Sequence, residues 1–302
     1  MESIFVQISS YHDYELPKTI MDILNKSSGD FQINFGIHHI YFQEDDIEIP
    51  NLPNVNVAIS KAPSNLGMGL GRKIAHQFYN GEDYYLQVDA HSRFDPNWDR
   101  FIVGEIKRYQ AMGFAKPLLT MYPRNYWYEE DGSEHFDEAN ENSTYISFHE
   151  NKQLFMDMRF PSQTAMPNEN NIFCKSVSGG CIFTVGDFVI PNDKIFANGE
   201  EFFIAARAWT RGYDILLPSR MYMSHLYYDG NNKPKNRRRL VWEDVSGNLL
   251  NVLTTVSYTE IKKMFTENLI GPDYLGTERT LEEFGTYAGV DFNTGEVFDQ
   301  IC

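Results

Sequence analysis

The sequence predicts an α/β protein in which helices flank a mixed, mostly parallel sheet. Three observations lead there. Short apolar runs alternate with segments of helical periodicity. Pro, Asn-Gly and Asp-Pro punctuate the breaks between them. Polar residues able to bind metal or move protons follow the apolar runs, at the strand ends where such sheets bind ligands. The 302 residues are read as a single domain in three stretches, 1–121, 122–230 and 231–302.

In chain order, residues 4–9 form a first strand, followed by the polar loop SSYHDYELP. A helix follows with Pro17 in its first turn and Leu16, Ile20, Ile23 and Leu24 on one face. Residues 33–40 are a second strand. SNLGMGLGRKIAHQFYNG is a glycine-rich turn entering a helix whose buried stripe is Ile74, Ala75, Phe78 and Tyr79, stopped by Asn80-Gly81. Strand 84–88 ends at Asp89, and the chain is expected to turn after His91. Asp95-Pro96 supplies the cap and first turn of a helix that turns Trp98, Phe101, Ile102 and Ile106 inward. Residues 116–121 are the next strand. The stretch 122–170 is acidic and irregular, with strand-like pieces at 145–148 and 154–158. Order returns with SVSGGCIFTVGDFVI, the helix GEEFFIAARAWTRGYD and a strand at 215–218. The tail LGTERTLEEFGTYAGVDF gives a turn and a helix with Leu281, Phe284 and Tyr287 inward.

Charge narrows the function classes. With 42 acidic and 26 basic residues the net charge is −16, so duplex nucleic acid is an unsuitable partner. A phosphate ligand would need a local cation to overcome the long-range repulsion. Three cysteines, Cys174, Cys181 and Cys302, show no metal-finger spacing and are too few for a disulfide framework. They point to a reducing compartment, and the lack of any membrane-length apolar run leads to the expectation of a cytoplasmic protein without a membrane partner. Oligomeric state is not legible.

The chemistry concentrates in few places. Asp89 and His91, two apart on an extended segment, can share one divalent cation, and oxygen with imidazole nitrogen suits Mn²⁺ better than an all-oxygen Ca²⁺ cage. The plainer alternative is a turn-capping Asp beside a surface His. His225, after another strand end, is a possible third ligand. Arg72 follows glycines that let backbone N–H groups approach an anion. Gly179 and Gly180 permit close approach of a bulky ligand. Glu200 and Glu201 open a helix, where acids serve either the helix dipole or chemistry. The basic run KPKNRRR (residues 233–239) is either a solvated loop or a lid over phosphates.

Taken together, GRKIAHQFYNGEDYYLQVDAHSRF, SVSGGCIFTVGDF, GEEFFIAARAWTRGYDILLP, SHLYY and GTERTLEEFGTYAGVDF resemble the cytoplasmic N-acetylglucosaminyltransferases that modify hydroxyproline. More distantly they resemble the polypeptide N-acetylgalactosaminyltransferases, which also use Asp-x-His. The resemblance runs collinearly from the first strand to residue 292 and is weakest over 122–170. It implies an A-type glycosyltransferase fold, with a nucleotide-binding half (1–121), an acceptor and donor-sugar half (122–230), and a basic loop with C-terminal helices (231–302). It implies a retaining transfer of a sugar, GlcNAc first, from a UDP-sugar to an acceptor hydroxyl on a protein or glycan. By resemblance Asp89, His91 and His225 hold Mn²⁺ or Mg²⁺. Ser9, Tyr11 and Asp13 line the uracil and ribose edge, and Arg72 faces the diphosphate. Gly179, Gly180 and Glu200 or Glu201 face the donor sugar and acceptor. The alternatives are a catalytically quiet nucleotide-sugar-binding module, and a transferase with another UDP-hexose and a glycan or modified-nucleotide acceptor. A metallohydrolase would require further clustered ligands, and the sequence has no HExxH or comparable set.

Overall fold

A computed structural model describes the chain except residues 43–46, 138–143, 150–153, 156–157, 160–161, 167–170, 228–238, 293 and 299–302. The basic residues Lys233, Lys235, Arg237 and Arg238 lie outside the described residues, as does Cys302.

The first half alternates strands and helices, with two strands beyond those expected. β1 (Ser3–Tyr11), α1 (Leu16–Asn25), β2 (Gln32–Tyr41), β3 (Val55–Lys61), α2 (Met68–His76), β4 (Tyr84–Asp89), β5 (Ser92–Phe94), α3 (Trp98–Ala111) and β6 (Pro117–Thr120) follow one another. Strand pieces then accumulate: β7 (Arg124–Tyr128), β8 (Glu134–Phe136), β9 (Tyr145–His149), β10 (Leu154–Phe155), β11 (Met158–Arg159) and β12 (Ser162–Met166). β13 (Cys181–Val185), α4 (Glu200–Trp209), β14 (Asp214–Leu216) and β15 (Met223–His225) return to the main body. α5 (Val241–Asp244), α6 (Gly247–Glu267), α7 (Leu281–Ala288), β16 (Val290–Asp291) and β17 (Glu296–Val297) complete the chain.

Seven strands form the main sheet in the order β14-β6-β13-β4-β1-β2-β3. Only β13 runs against the rest, pairing antiparallel with both β4 and β6. β1 is buried along almost its whole length, the continuous apolar pattern of a strand covered on both faces. The core joins Ile4, Phe5, Val6 and Ile8 of β1 to Ile20 and Ile23 of α1, Trp98, Ile102 and Ile106 of α3, and Phe203 and Ala206 of α4.

Four sequence expectations are corrected in detail. β3 was not anticipated: it is an edge strand whose alternating Asn and Val residues leave it half exposed. The buried face of α2 is Gly69, Gly71, Arg72 and Ala75, and the helix ends at His76, before Phe78 and Tyr79. Its glycines serve packing, because a Cβ on Gly71 would collide with Ser9 Oγ and one on Gly69 with the Asn192 carbonyl. Asp95 makes no side-chain cap for α3, whose N-cap is Asn97; its carboxylate pairs with Arg124 and Arg220 instead. After His91 the chain enters β5 rather than a turn.

A second sheet, β5-β15-β7-β8, stands beside the carboxyl end of β4. Arg93 ties it down, pairing with Glu15 at the start of α1 and, at 2.7 Å, with Glu134 on β8. A satellite core packs Val245 and the first turns of α6 against Ile40, Ala62 and Leu66. Among the described residues, no helix is long and apolar enough to cross a membrane.

Candidate metal centre and donor cleft

The site begins where β1 and β4 end. Their parallel register sets Ser9 opposite Asp89, the last residue of β4. Thr19 of α1 then holds the exit: its hydroxyl donates to the Ala90 carbonyl at 2.7 Å and accepts from the Ser92 N–H at 3.0 Å. Ser92 Oγ donates back to the Asp89 carbonyl at 2.9 Å. This bracing fixes His91 between two sheets. The third residue arrives on β15, where His225 pairs with Ser92 and the Leu226 N–H donates to the His91 carbonyl at 3.0 Å.

Asp89, His91 and His225 each offer one ligand atom, and these atoms all lie within 4.8 Å of one another. The His91 and His225 rings sit edge to face with centroids 4.5 Å apart, and His225 Nε2 lies 3.1 Å from Asp89 Oδ2. Burial opposes ionisation of Asp89, but the hydrogen bond to His225 and the charges of His91 and Arg72 outweigh it and hold the carboxyl far below the usual range. Gly180 closes in on the same carboxylate: a Cβ there would stand 2.7 Å from Asp89 Oδ2. Neither Gly179 nor Gly180 has a left-handed backbone; space excludes a side chain at Gly180, while one at Gly179 would press on the Arg72 guanidinium at 3.2 Å. The donor set of one carboxylate and two imidazoles could hold a divalent metal ion.

Arg72 is buried, at 2% exposure, beneath this cluster. Its guanidinium donates to the Gly179 carbonyl at 2.9 Å, pairs with Glu200 Oε2 at 2.7 Å and approaches Asp89 Oδ1 at 3.4 Å. Burial works against its charge, but Glu200, Asp89 and Glu201 prevail and raise its pKa. Glu200 is thus committed to Arg72, though burial still pushes its pKa up. Glu201 faces elsewhere: it accepts the Gly179 N–H at 2.7 Å and the Gln163 amide at 2.7 Å. Burial, aided by the neighbouring Glu200, pushes Glu201 up to about 7.

The first-strand residues separate. Ser9 lies under α2 against Gly71. Tyr11 donates its hydroxyl to Asp244 of α5 at 3.2 Å, and Asp244 is held in turn by Arg239, the described end of the basic run. Asp13 lies 2.7 Å from His91 Nδ1. Sequence reasoning overlooked Gln163 and Tyr122, joined by a 3.2 Å hydrogen bond beside Glu201. Both belong to the irregular stretch 122–170, and no motif marks them.

Residues 48–294 match the family model described as Glycosyltransferase (GlcNAc). Among solved structures, the chain is similar to GalNAc-T7 crystallised with UDP, GalNAc and Mn²⁺, with 14% identity over 78% of this chain and a TM-score of 0.49. That alignment takes in 46% of GalNAc-T7, so the chain spans about half its length. It is also similar to residues 1–349 of S. aureus TarS in complex with UDP-GlcNAc, with 12% identity over 96% of this chain and 71% of that one, at a TM-score of 0.46. No curated protein matches the sequence.

Proposed function

Since the chain belongs to the glycosyltransferase (GlcNAc) family, we propose that it transfers N-acetylglucosamine from UDP-GlcNAc to an acceptor hydroxyl, with retention and with Mn²⁺ as its ion. The observation that carries this reading is the convergence of Asp89 and His225, at the ends of β4 and β15, with His91 from the link between β4 and β5. The acceptor is a protein, of the hydroxyprolyl kind that the sequence resemblance implies. The whole chain acts as one domain, and its free, buried Cys174 and Cys181 suit a reducing cytoplasm.

Asp89, His91 and His225 would hold the ion, and the absence of a side chain at Gly180 leaves the Asp89 carboxylate room for its present position. When bound, such an ion neutralises charge developing on a departing diphosphate. Arg72 is built to stay charged and to orient: its ion pair with Glu200 fixes the guanidinium against Gly179 and Asp89. Glu200 therefore supports Arg72, while Glu201, with a pKa near neutrality, is the better placed to hydrogen-bond a sugar or acceptor hydroxyl. Attack from the leaving-group face needs no protein nucleophile, which agrees with a Glu200 already occupied.

The test is donor hydrolysis across UDP-sugars, with Mn²⁺ or with EDTA, read as released UDP. Metal-dependent release from UDP-GlcNAc supports the reading, and the same release from another UDP-hexose changes the donor. UDP binding without turnover, with any acceptor peptide, would favour a quiet binding module. Asp89→Ala should abolish Mn²⁺-dependent UDP binding while the far-ultraviolet circular dichroism stays unchanged.

A further inference from the structure

Asp13 is placed by family resemblance at the nucleoside edge, yet its carboxylate points at a histidine. Oδ2 lies 2.7 Å from His91 Nδ1, and both side chains are buried, at 4% and 8% exposure. Oδ1 accepts the Glu15 N–H at 3.0 Å, and the Asp13 carbonyl accepts the Leu16 N–H at 3.1 Å. The residue is therefore fixed by the turn that launches α1, not by His91 alone. A neutral imidazole has one N–H and one lone pair, and the partner of one nitrogen decides which is which. A carboxylate beside Nδ1 claims the proton there and leaves the lone pair on Nε2.

We infer that Asp13 is a positioning residue that sets the tautomer and ring orientation of His91, so that Nε2 serves the cation shared with Asp89 and His225. The inference rests on the metal reading of the site. It gives the loop after β1 a duty in metal binding. Carboxylate partners of this kind commonly govern metal affinity by 10- to 100-fold.

Asp13→Asn separates this role from a merely structural turn. If the amide oxygen keeps the Glu15 N–H, its NH₂ faces His91 Nδ1, which must then accept, and the ring proton moves to Nε2. The turn survives while the ligand nitrogen is blocked. Two readouts follow on the full chain. Two-bond ¹H–¹⁵N spectra of the metal-free protein should give an Nδ1–H tautomer for His91 in the wild type and Nε2–H in Asp13→Asn. Titration with Mn²⁺ alone, followed by the electron paramagnetic resonance of the free ion, should show about 10- to 100-fold weaker binding in Asp13→Asn and Asp13→Ala. On a His91→Ala background, Asp13→Ala should add no further loss. Mn²⁺ affinity within two-fold of wild type, an unchanged tautomer in Asp13→Asn, or an equal loss on the His91→Ala background would overturn the inference. Failure of the wild type to bind Mn²⁺ would instead overturn the metal reading on which it stands.

Discussion

Gly180→Ala tests the close approach of Gly180 to the Asp89 carboxylate. The added Cβ would stand 2.7 Å from Asp89 Oδ2 and 3.1 Å from its Cγ. Ordinary contact begins about 0.7 Å further out. Either the carboxylate or the glycine turn must move by that much. The carboxylate is held on two sides, by His225 at 3.1 Å and by Arg72 at 3.4 Å. The turn is held by the Cys181 N–H donating to the Ser178 carbonyl at 3.0 Å, and by the bonds of Gly179 to Glu201, Arg72 and Gln87. On the proposed metal reading, displacing Asp89 by most of an ångström should weaken Mn²⁺ about 10- to 100-fold, or about 1.4 to 2.7 kcal/mol. Misplacement of about 1 Å near the chemistry can also lower turnover about 100-fold. Overpacking should cost the fold about 1 to 3 kcal/mol. The assays are Mn²⁺ titration, UDP release and thermal melting on one preparation. Wild-type Mn²⁺ affinity and turnover in Gly180→Ala would refute the argument, because the carboxylate would then have no need of its present position.

Other perturbations follow from the same geometry. Glu201 binds its proton more tightly folded than unfolded, so its contribution to stability is full below about pH 4.5 and is lost as the pH rises through about 7. Glu201→Gln should remove up to about 3 kcal/mol of that decline, read from chemical denaturation at pH 4.5 and 7.5; an unchanged difference would mean that Glu201 does not titrate in this window. Arg93→Met leaves buried Glu15 without its guanidinium and releases Glu134, and should destabilise the protein by about 3 kcal/mol in urea unfolding. Gly69→Ala drives a methyl group into the Asn192 carbonyl, a backbone atom with little freedom to yield, and should lower stability by about 1 to 3 kcal/mol without changing the Mn²⁺ affinity of the folded fraction.

The residues of the candidate metal group could be picked out before the fold was known, because strand ends announce themselves. Asp89 closes an apolar run, and His225 ends another short strand. What the residue pattern could not convey was partnership across the chain. Asp13 and His91 stand 78 residues apart, and Gln163 and Glu201 38 apart, so no local periodicity links them. Arg72 was legible as a cation but not as one anchored by Glu200, which turned one of two equivalent-looking glutamates into a support. The same limit explains Asp95, where a sound local cap signal was outcompeted by Arg124 and Arg220. It also explains β3, whose alternation is that of an edge strand and is diluted by asparagine.

The reversed strand β13 has a kinetic consequence. It begins where its parallel neighbours finish, so Cys181 pairs with Val88 directly beside Gly180 and Asp89. Asp89 and Gly180 thus each adjoin the last rung of one central ladder, with β6 hydrogen-bonded on the far side of β13. Amides in such a ladder exchange with solvent only in the rarest, most global openings, whereas peripheral elements exchange through small local ones. The close approach of Gly180 to Asp89 should therefore persist on every timescale short of unfolding. Any opening of the elements outside this ladder should leave amide exchange on β4 and β13 unchanged.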